Sequence, residues 1–108
     1  MNLSRIDGDV AYILCPFEGG HIEVKVDAED LAWILDKFPR LKVKRFKSGH
    51  GGRTTNIYAC HYKYNNGVYL LHREILKAPR GKCVTFIDGN SLNCTKDNMR
   101  VGGKTDDK

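Results

Sequence analysis

The run Ile57–Tyr64, the tripeptide Asn65-Asn66-Gly67 and the run Val68–Leu71 constrain this chain more than any other stretch. Two alternating runs joined by Asn-Gly read as a hairpin, because these residues adopt the positive φ angles that a tight reversal needs. On the first strand Tyr58, Cys60, Tyr62 and Tyr64 fall on one face. Core packing or cross-strand pairing is the ordinary role of such a stripe, and an exposed tyrosine in it can also stack on a base.

Similar signals flank the hairpin. Val10–Leu14 is a short apolar run, Pro16–Gly20 a turn, and His21–Val26 alternates apolar with polar, predicting a second hairpin. Asp27 is placed to cap a helix, with Asp30 in its first turn. Leu31, Ile34, Leu35 and Phe38 would share one face of that helix, with Trp33 at its edge and Pro39 as its stop. Its expected role is to cover a sheet. Leu41–Phe46 alternates again, with Lys42 and Lys44 on one side and Leu41, Val43 and Arg45 on the other. The glycine-rich stretch from Lys47 to Thr54 reads as a flexible loop tip whose backbone N–H groups and Arg53 could lie along phosphates.

Further on, His72–Leu76 predicts a short helix that stops before Ala78-Pro79-Arg80-Gly81. A strand (Cys83–Phe86), a turn (Ile87–Ser91), an extended piece (Leu92–Cys94) and a last helix (Thr95–Arg100, capped by Thr95 or Asn93) follow. The expected fold class is α+β in one small domain over residues 1–104. Residues 1–69 form its strand-and-helix part, 70–101 a terminal strand–turn–helix unit, and 102–108 a tail expected to be disordered.

At 108 residues the chain has room for a single core. Hydrophobic residues make up 41% and charged residues 29%, the balance of a soluble globular protein. No apolar run approaches the roughly 18 residues of a membrane span, and Met1–Val10 has no apolar signal region. A cytoplasmic location without a membrane partner is expected. None of the four cysteines forms a C-x-x-C pair. Zinc ligation by Cys60, His61, Cys83 and Cys94 can be drawn, but their spacing matches no usual pattern, so no metal is assigned.

Charge is distributed unevenly. Residues 1–36 hold eight acids (Asp7, Asp9, Glu18, Glu23, Asp27, Glu29, Asp30, Asp36) and two bases. From Lys37 to Arg73 there are nine bases and no acid, with aromatics between them. A window of that kind suits a polyanion. The candidate DNA contacts are Lys42, Lys44, Arg45, Lys47, Arg53, Lys63 and Arg73, joined by Lys96 and Arg100 four residues apart on the last predicted helix.

Leu71-His72-Arg73-Glu74-Ile75-Leu76, Ala78–Gly81, the turn Ile87-Asp88-Gly89-Asn90, Leu92-Asn93-Cys94 and Asp97-Asn98-Met99-Arg100 keep one order and spacing. This segment, Leu70 to Arg100, resembles the His-Asn-His endonucleases of the ββα-metal fold, particularly their small phage-type and homing-type members. The resemblance implies a motif whose first strand ends in an Asp-His pair, the aspartate binding a divalent metal and the histidine taking a proton from water. Here those positions hold Thr85 and Phe86. A phenyl ring accepts no proton, and a threonine hydroxyl is a poor replacement for a hard anionic ligand. By the same resemblance Cys94 stands where the family has an asparagine that fixes the loop or orients the base, and Asn98 stands at the second metal-ligand position. Asp88 reads as turn geometry, and His72 as packing or phosphate contact. Losing the general base alone costs roughly 10²–10⁴ in rate. No catalytic residue and no cofactor are therefore assigned, with a divalent ion such as magnesium implied only for an active enzyme.

Three readings follow. One is a degenerate nuclease fold, of phage origin and working in the host cytoplasm, that grips DNA without cutting it. In family terms its last helix would enter the minor groove. Another is an active nicking endonuclease with an unorthodox site. The third is an inhibitor or anti-defence factor that uses the acidic N-terminal third against a basic host protein.

Overall fold

The computed structural model describes residues 2–48, 54–63, 67–79 and 81–102. In it β1 (Ser4–Asp7), β2 (Val10–Phe17) and β3 (Gly20–Asp27) run as an antiparallel meander. Alternation decides what they bury. Ala11, Ile13 and Cys15 of β2 and Val24 and Val26 of β3 are wholly buried, while Tyr12, Glu23 and Lys25 face outward. The turn between β2 and β3 is tight, with positive φ at Glu18 (46°) and Gly19 (82°). The strand β1 carries no clear apolar pattern and is not predicted from the sequence.

A 3-10 turn (Ala28–Asp30) leads into helix α1 (Leu31–Lys37). Ile34 and, just beyond the helix, Phe38 are buried, with Leu31, Leu35 and Trp33 packed against the same core, as the spacing predicts. Asp27 makes no side-chain cap for this helix. Beyond Pro39, β4 (Lys42–Ser48), β5 (Thr54–Tyr62) and β6 (Val68–Leu70) form an antiparallel three-stranded sheet. The expected hairpin is present, although Tyr64, Asn65, Asn66 and the glycine-rich tip around His50 and Arg53 lie outside the described residues. Helix α2 (Leu71–Leu76) follows, burying Leu71, His72 and Ile75, and ends at Lys77 in the left-handed conformation (φ 53°).

The terminal segment departs from expectation. The strand β7 (Val84–Phe86), the turn and the extended piece, here β8 (Asn93–Cys94), are present. The last helix is not. A single 3-10 turn, Lys96–Asn98, gives way to β9 (Met99–Val101), which pairs antiparallel with β7. Three residues cannot offset the cost of nucleating an α-helix. The strand instead satisfies its backbone across to β7 and buries Met99 opposite Phe86. Lys96 and Arg100 therefore share no helical face. Of the expected tail, 102–108, the Gly102 N–H is bonded to the Cys83 carbonyl at 2.9 Å, and residues 103–108 lie outside the described residues.

β8 adds to the N-terminal meander, parallel to β3, with Lys25 opposite Asn93 and Val26 opposite Cys94. The motif segment is thus stitched into the first sheet. The whole is a small α+β domain, and none of the described helices is long and apolar enough to cross a membrane.

Candidate nucleic-acid interface

The β4–β5 pairing places Lys42 opposite Cys60 and Lys44 opposite Tyr58, so these side chains share one sheet face with Tyr62. α2 covers part of that face, with the His72 ring 4.7 Å from the Tyr58 ring. Tyr62 stays open, 49% exposed. Lys42 Nζ lies 4.2 Å from its ring centroid and Lys44 Nζ 5.0 Å, and Lys44 Nζ also donates to the Tyr62 hydroxyl at 2.7 Å. That hydrogen bond holds the Lys44 ammonium above its ordinary pKa. Two cations around an exposed ring can meet phosphate and base together.

The other predicted contacts separate into distinct roles. Lys63 Nζ lies 4.9 Å from the Tyr69 ring centroid. Lys47 is exposed farther along β4, and Arg53 lies outside the described residues. Arg45 is forked onto Glu18, whose carboxyl it holds below the usual range. Both partners are about half exposed, so the pair contributes little to stability and is open to exchange for phosphate. Arg73 donates to the carbonyls of Lys82 (2.6 Å) and Pro79 (2.9 Å), clamping the connection after α2. Arg100 is exposed on β9, paired with Thr85 on the same face of the ribbon.

Lys96 is engaged with acids. Its Nζ reaches Asp30 Oδ1 at 3.2 Å and Glu29 Oε2 at 3.6 Å, and its backbone N–H donates to Asp27 Oδ2 at 2.9 Å. Asp27 thus caps the terminal turn from across the fold, in place of the expected Thr95 or Asn93. The Asn93 side-chain oxygen instead accepts from the Thr95 N–H (3.4 Å) and hydroxyl (2.9 Å). Asp27, Glu29 and Asp30 are the only described acids, cysteines and histidines that gather three potential ligand atoms within 4.8 Å. The Lys96 ammonium already pairs with two of the three, Glu29 and Asp30, and Asp30 also accepts from Trp33 Nε1 at 2.8 Å. Cys60, His61, Cys83 and Cys94 form no such group. Burial pushes the Cys94 thiol up to about 12, so it remains protonated.

Phe86 faces inward and Thr85 outward, because neighbours on a strand point to opposite sides. The Phe86 ring packs edge-on against His72 at 5.3 Å and stacks with Tyr58 at 6.4 Å, with Phe46 5.7 Å from Tyr58. Burial, with help from neighbouring Arg73, lowers the His72 pKa to about 4, and its Nδ1 has no hydrogen-bond partner. It is a neutral ring in an aromatic cluster.

The turn after β7 is held by amides. Asn98 donates to Asp88 Oδ1 and to the Asn93 carbonyl, both at 2.9 Å, and accepts from the Asp88 N–H at 3.0 Å. Asp88 also accepts from the Asn90 N–H (2.8 Å) and Asn93 Nδ2 (2.9 Å), and these donors together lower its pKa. Asn98, not Cys94, is the residue that fixes this loop. Cys94 is wholly buried in the core, its Sγ donating to the Ser91 carbonyl at 3.7 Å.

Comparison of the chain with protein-family models, curated proteins and solved structures yields no match.

Proposed function

We propose that this chain binds nucleic acid, DNA in the first place, through the β4–β5 face, and that its C-terminal segment is a degenerate His-Asn-His-type unit that no longer cuts. The observation that carries the reading is the exposed Tyr62 ring with Lys42 and Lys44 around it. The acid-free charge of residues 37–73 supports it. With strand in place of the expected terminal helix, the contact moves from a groove-entering helix to this sheet face. Arg45 and Lys47 alternate to the other side of β4, and Lys63 lies over Tyr69 on that other side, so none of the three belongs to it. The aromatic packing of Phe86 and the amide-bonded Asp88 favour a binding role over hydrolysis, since neither supplies a free base or an open ligand set.

The test pairs fluorescence anisotropy on labelled duplex and single-stranded DNA at two salt concentrations with nicking of supercoiled plasmid in magnesium, manganese or nickel. Salt-sensitive binding without nicking supports the proposal. Nicking that a chelator abolishes returns the enzyme reading. Absence of both sends the search to a protein partner.

A further inference from the structure

We propose that β1 is a self-pairing edge through which two copies of this chain associate about a two-fold axis at Ile6. β1 is the outer strand of its sheet, in the order β1-β2-β3-β8, and all four of its residues are exposed. The two most exposed large hydrophobic side chains among the described residues, Leu3 at 75% and Ile6 at 62%, lie beside or within it. Asn2 fixes the strand's start, bonding the Leu14 carbonyl (3.0 Å) and both the N–H and carbonyl of Leu41 (2.9 Å each). The edge is therefore held in place for a partner.

Backbone direction and charge choose the partner and register. The Leu14 N–H donates to the Leu3 carbonyl at 2.8 Å, so Leu3, Arg5 and Asp7 direct their backbone groups at β2. Ser4 and Ile6 direct theirs at the open edge. Among two-fold antiparallel registers, one centred on Arg5 opposes two arginines and one centred on Asp7 opposes two aspartates. Centred on Ile6, each Arg5 faces the other copy's Asp7, the two Ile6 residues exchange both backbone hydrogen bonds, and their side chains meet on the opposite face. Only this register pairs unlike charges.

Edge charges of one sign keep strands apart, whereas this edge alternates the two signs and complements itself. Arg5 must turn outward to meet the other copy's Asp7. Its guanidinium now lies 4.1 Å from the Tyr12 ring centroid with Nε and Nη2 each 3.1 Å from Glu23, an exposed pair that association exchanges for the second copy's Asp7. Pairing would join two four-stranded sheets into one continuous sheet. The contact is small, so the expected dimer is weak and concentration-dependent.

Sedimentation equilibrium over a wide concentration range tests this, together with Ile6→Cys in a Cys83→Ser background. Paired Ile6 backbones would stand about 5.5 Å apart, inside the range a disulfide spans. The expected results are a mass rising towards that of two chains and, in the Ile6→Cys variant, rapid formation of a disulfide between the two copies under mild oxidation. Asp7→Arg should weaken association by roughly tenfold or more, since the symmetry counts each substitution twice. Circular dichroism should show the variants folded. A chain that stays monomeric throughout overturns the proposal, and so does a dimer whose affinity is unchanged by Asp7→Arg or which fails to cross-link at position 6.

Discussion

The His72 imidazole meets the Phe86 ring edge-on, 5.3 Å between centroids, and leaves its Nδ1 without a partner inside the fold. One ring is titratable and the other is not, which ties the stability of the motif to pH. Burial sets the His72 pKa at about 4, against 6.5 for the free side chain. The folded value is the lower one, so the unfolded chain takes up the proton first. Stability from this group is complete above about 6.5 and falls as pH drops towards 4. The expected loss over that interval is on the order of 3 kcal/mol, read from denaturant midpoints. His72→Phe should flatten the slope there and leave neutral-pH stability unchanged or higher. A slope that survives the substitution would assign the titration to another group.

Asn98 supports the 87–93 turn with three hydrogen bonds, so Asn98→Ala should cost about 2–3 kcal/mol. Asn98→Asp should cost at least as much, because it sets a second carboxylate against Asp88. Chemical denaturation should show a lower midpoint at unchanged slope. A stable Ala variant would mean that water replaces the amide.

Lys42 and Lys44 should act on binding rather than folding. Replacing both by Gln should reduce the magnitude of the log–log salt slope by about 2, at roughly 0.9 for each phosphate no longer neutralised. Tyr62→Ala should weaken single-stranded binding by about 1–3 kcal/mol if the ring stacks on a base. Arg73→Gln should do the reverse, lowering the melting temperature while leaving the slope alone, since its guanidinium holds the Pro79 and Lys82 carbonyls. Equal effects from Arg73 and the two lysines would place the interface elsewhere.

The family reading has its own check. In Thr85→Asp/Phe86→His the two residues that the resemblance implies are put in place, and calorimetry should detect a divalent ion bound more tightly than by the native chain. The double variant will be less stable, because a polar ring enters the Tyr58–His72 cluster. A variant that folds yet binds no metal would mean that Thr85 and Phe86 do not stand at the Asp-His positions of the motif.

The strands and the first helix were legible because their burial follows period 2 or 3.6, as in Val24 and Val26 or Ile34 and Phe38. β1 was not legible, since Ser4–Asp7 is exposed throughout and has no buried face to leave a pattern. The last helix failed for a non-local reason. Thr95-Lys96-Asp97 begins like a helix, and Asp27, 69 positions earlier, caps it at the Lys96 N–H, but β7 claims the backbone from Met99 onward. The same distance hid which bases are engaged. Arg45, Arg73 and Lys96 read as phosphate contacts until Glu18, the Pro79 and Lys82 carbonyls, and Asp30 are seen beside them. The lysines around Tyr62 could be placed from the alternation of β4 and β5 alone.

The parallel joint between β3 and β8 bears on how the chain emerges from a ribosome. The Lys25 N–H finds the Leu92 carbonyl only after 67 further residues have been added. At about 5–20 residues per second that interval lasts roughly 3–13 s. Throughout it, one side of the nascent meander is an unsatisfied strand edge, the template on which neighbouring chains on a polysome can add. Slower translation through residues 26–92 lengthens the time for which that edge stays open.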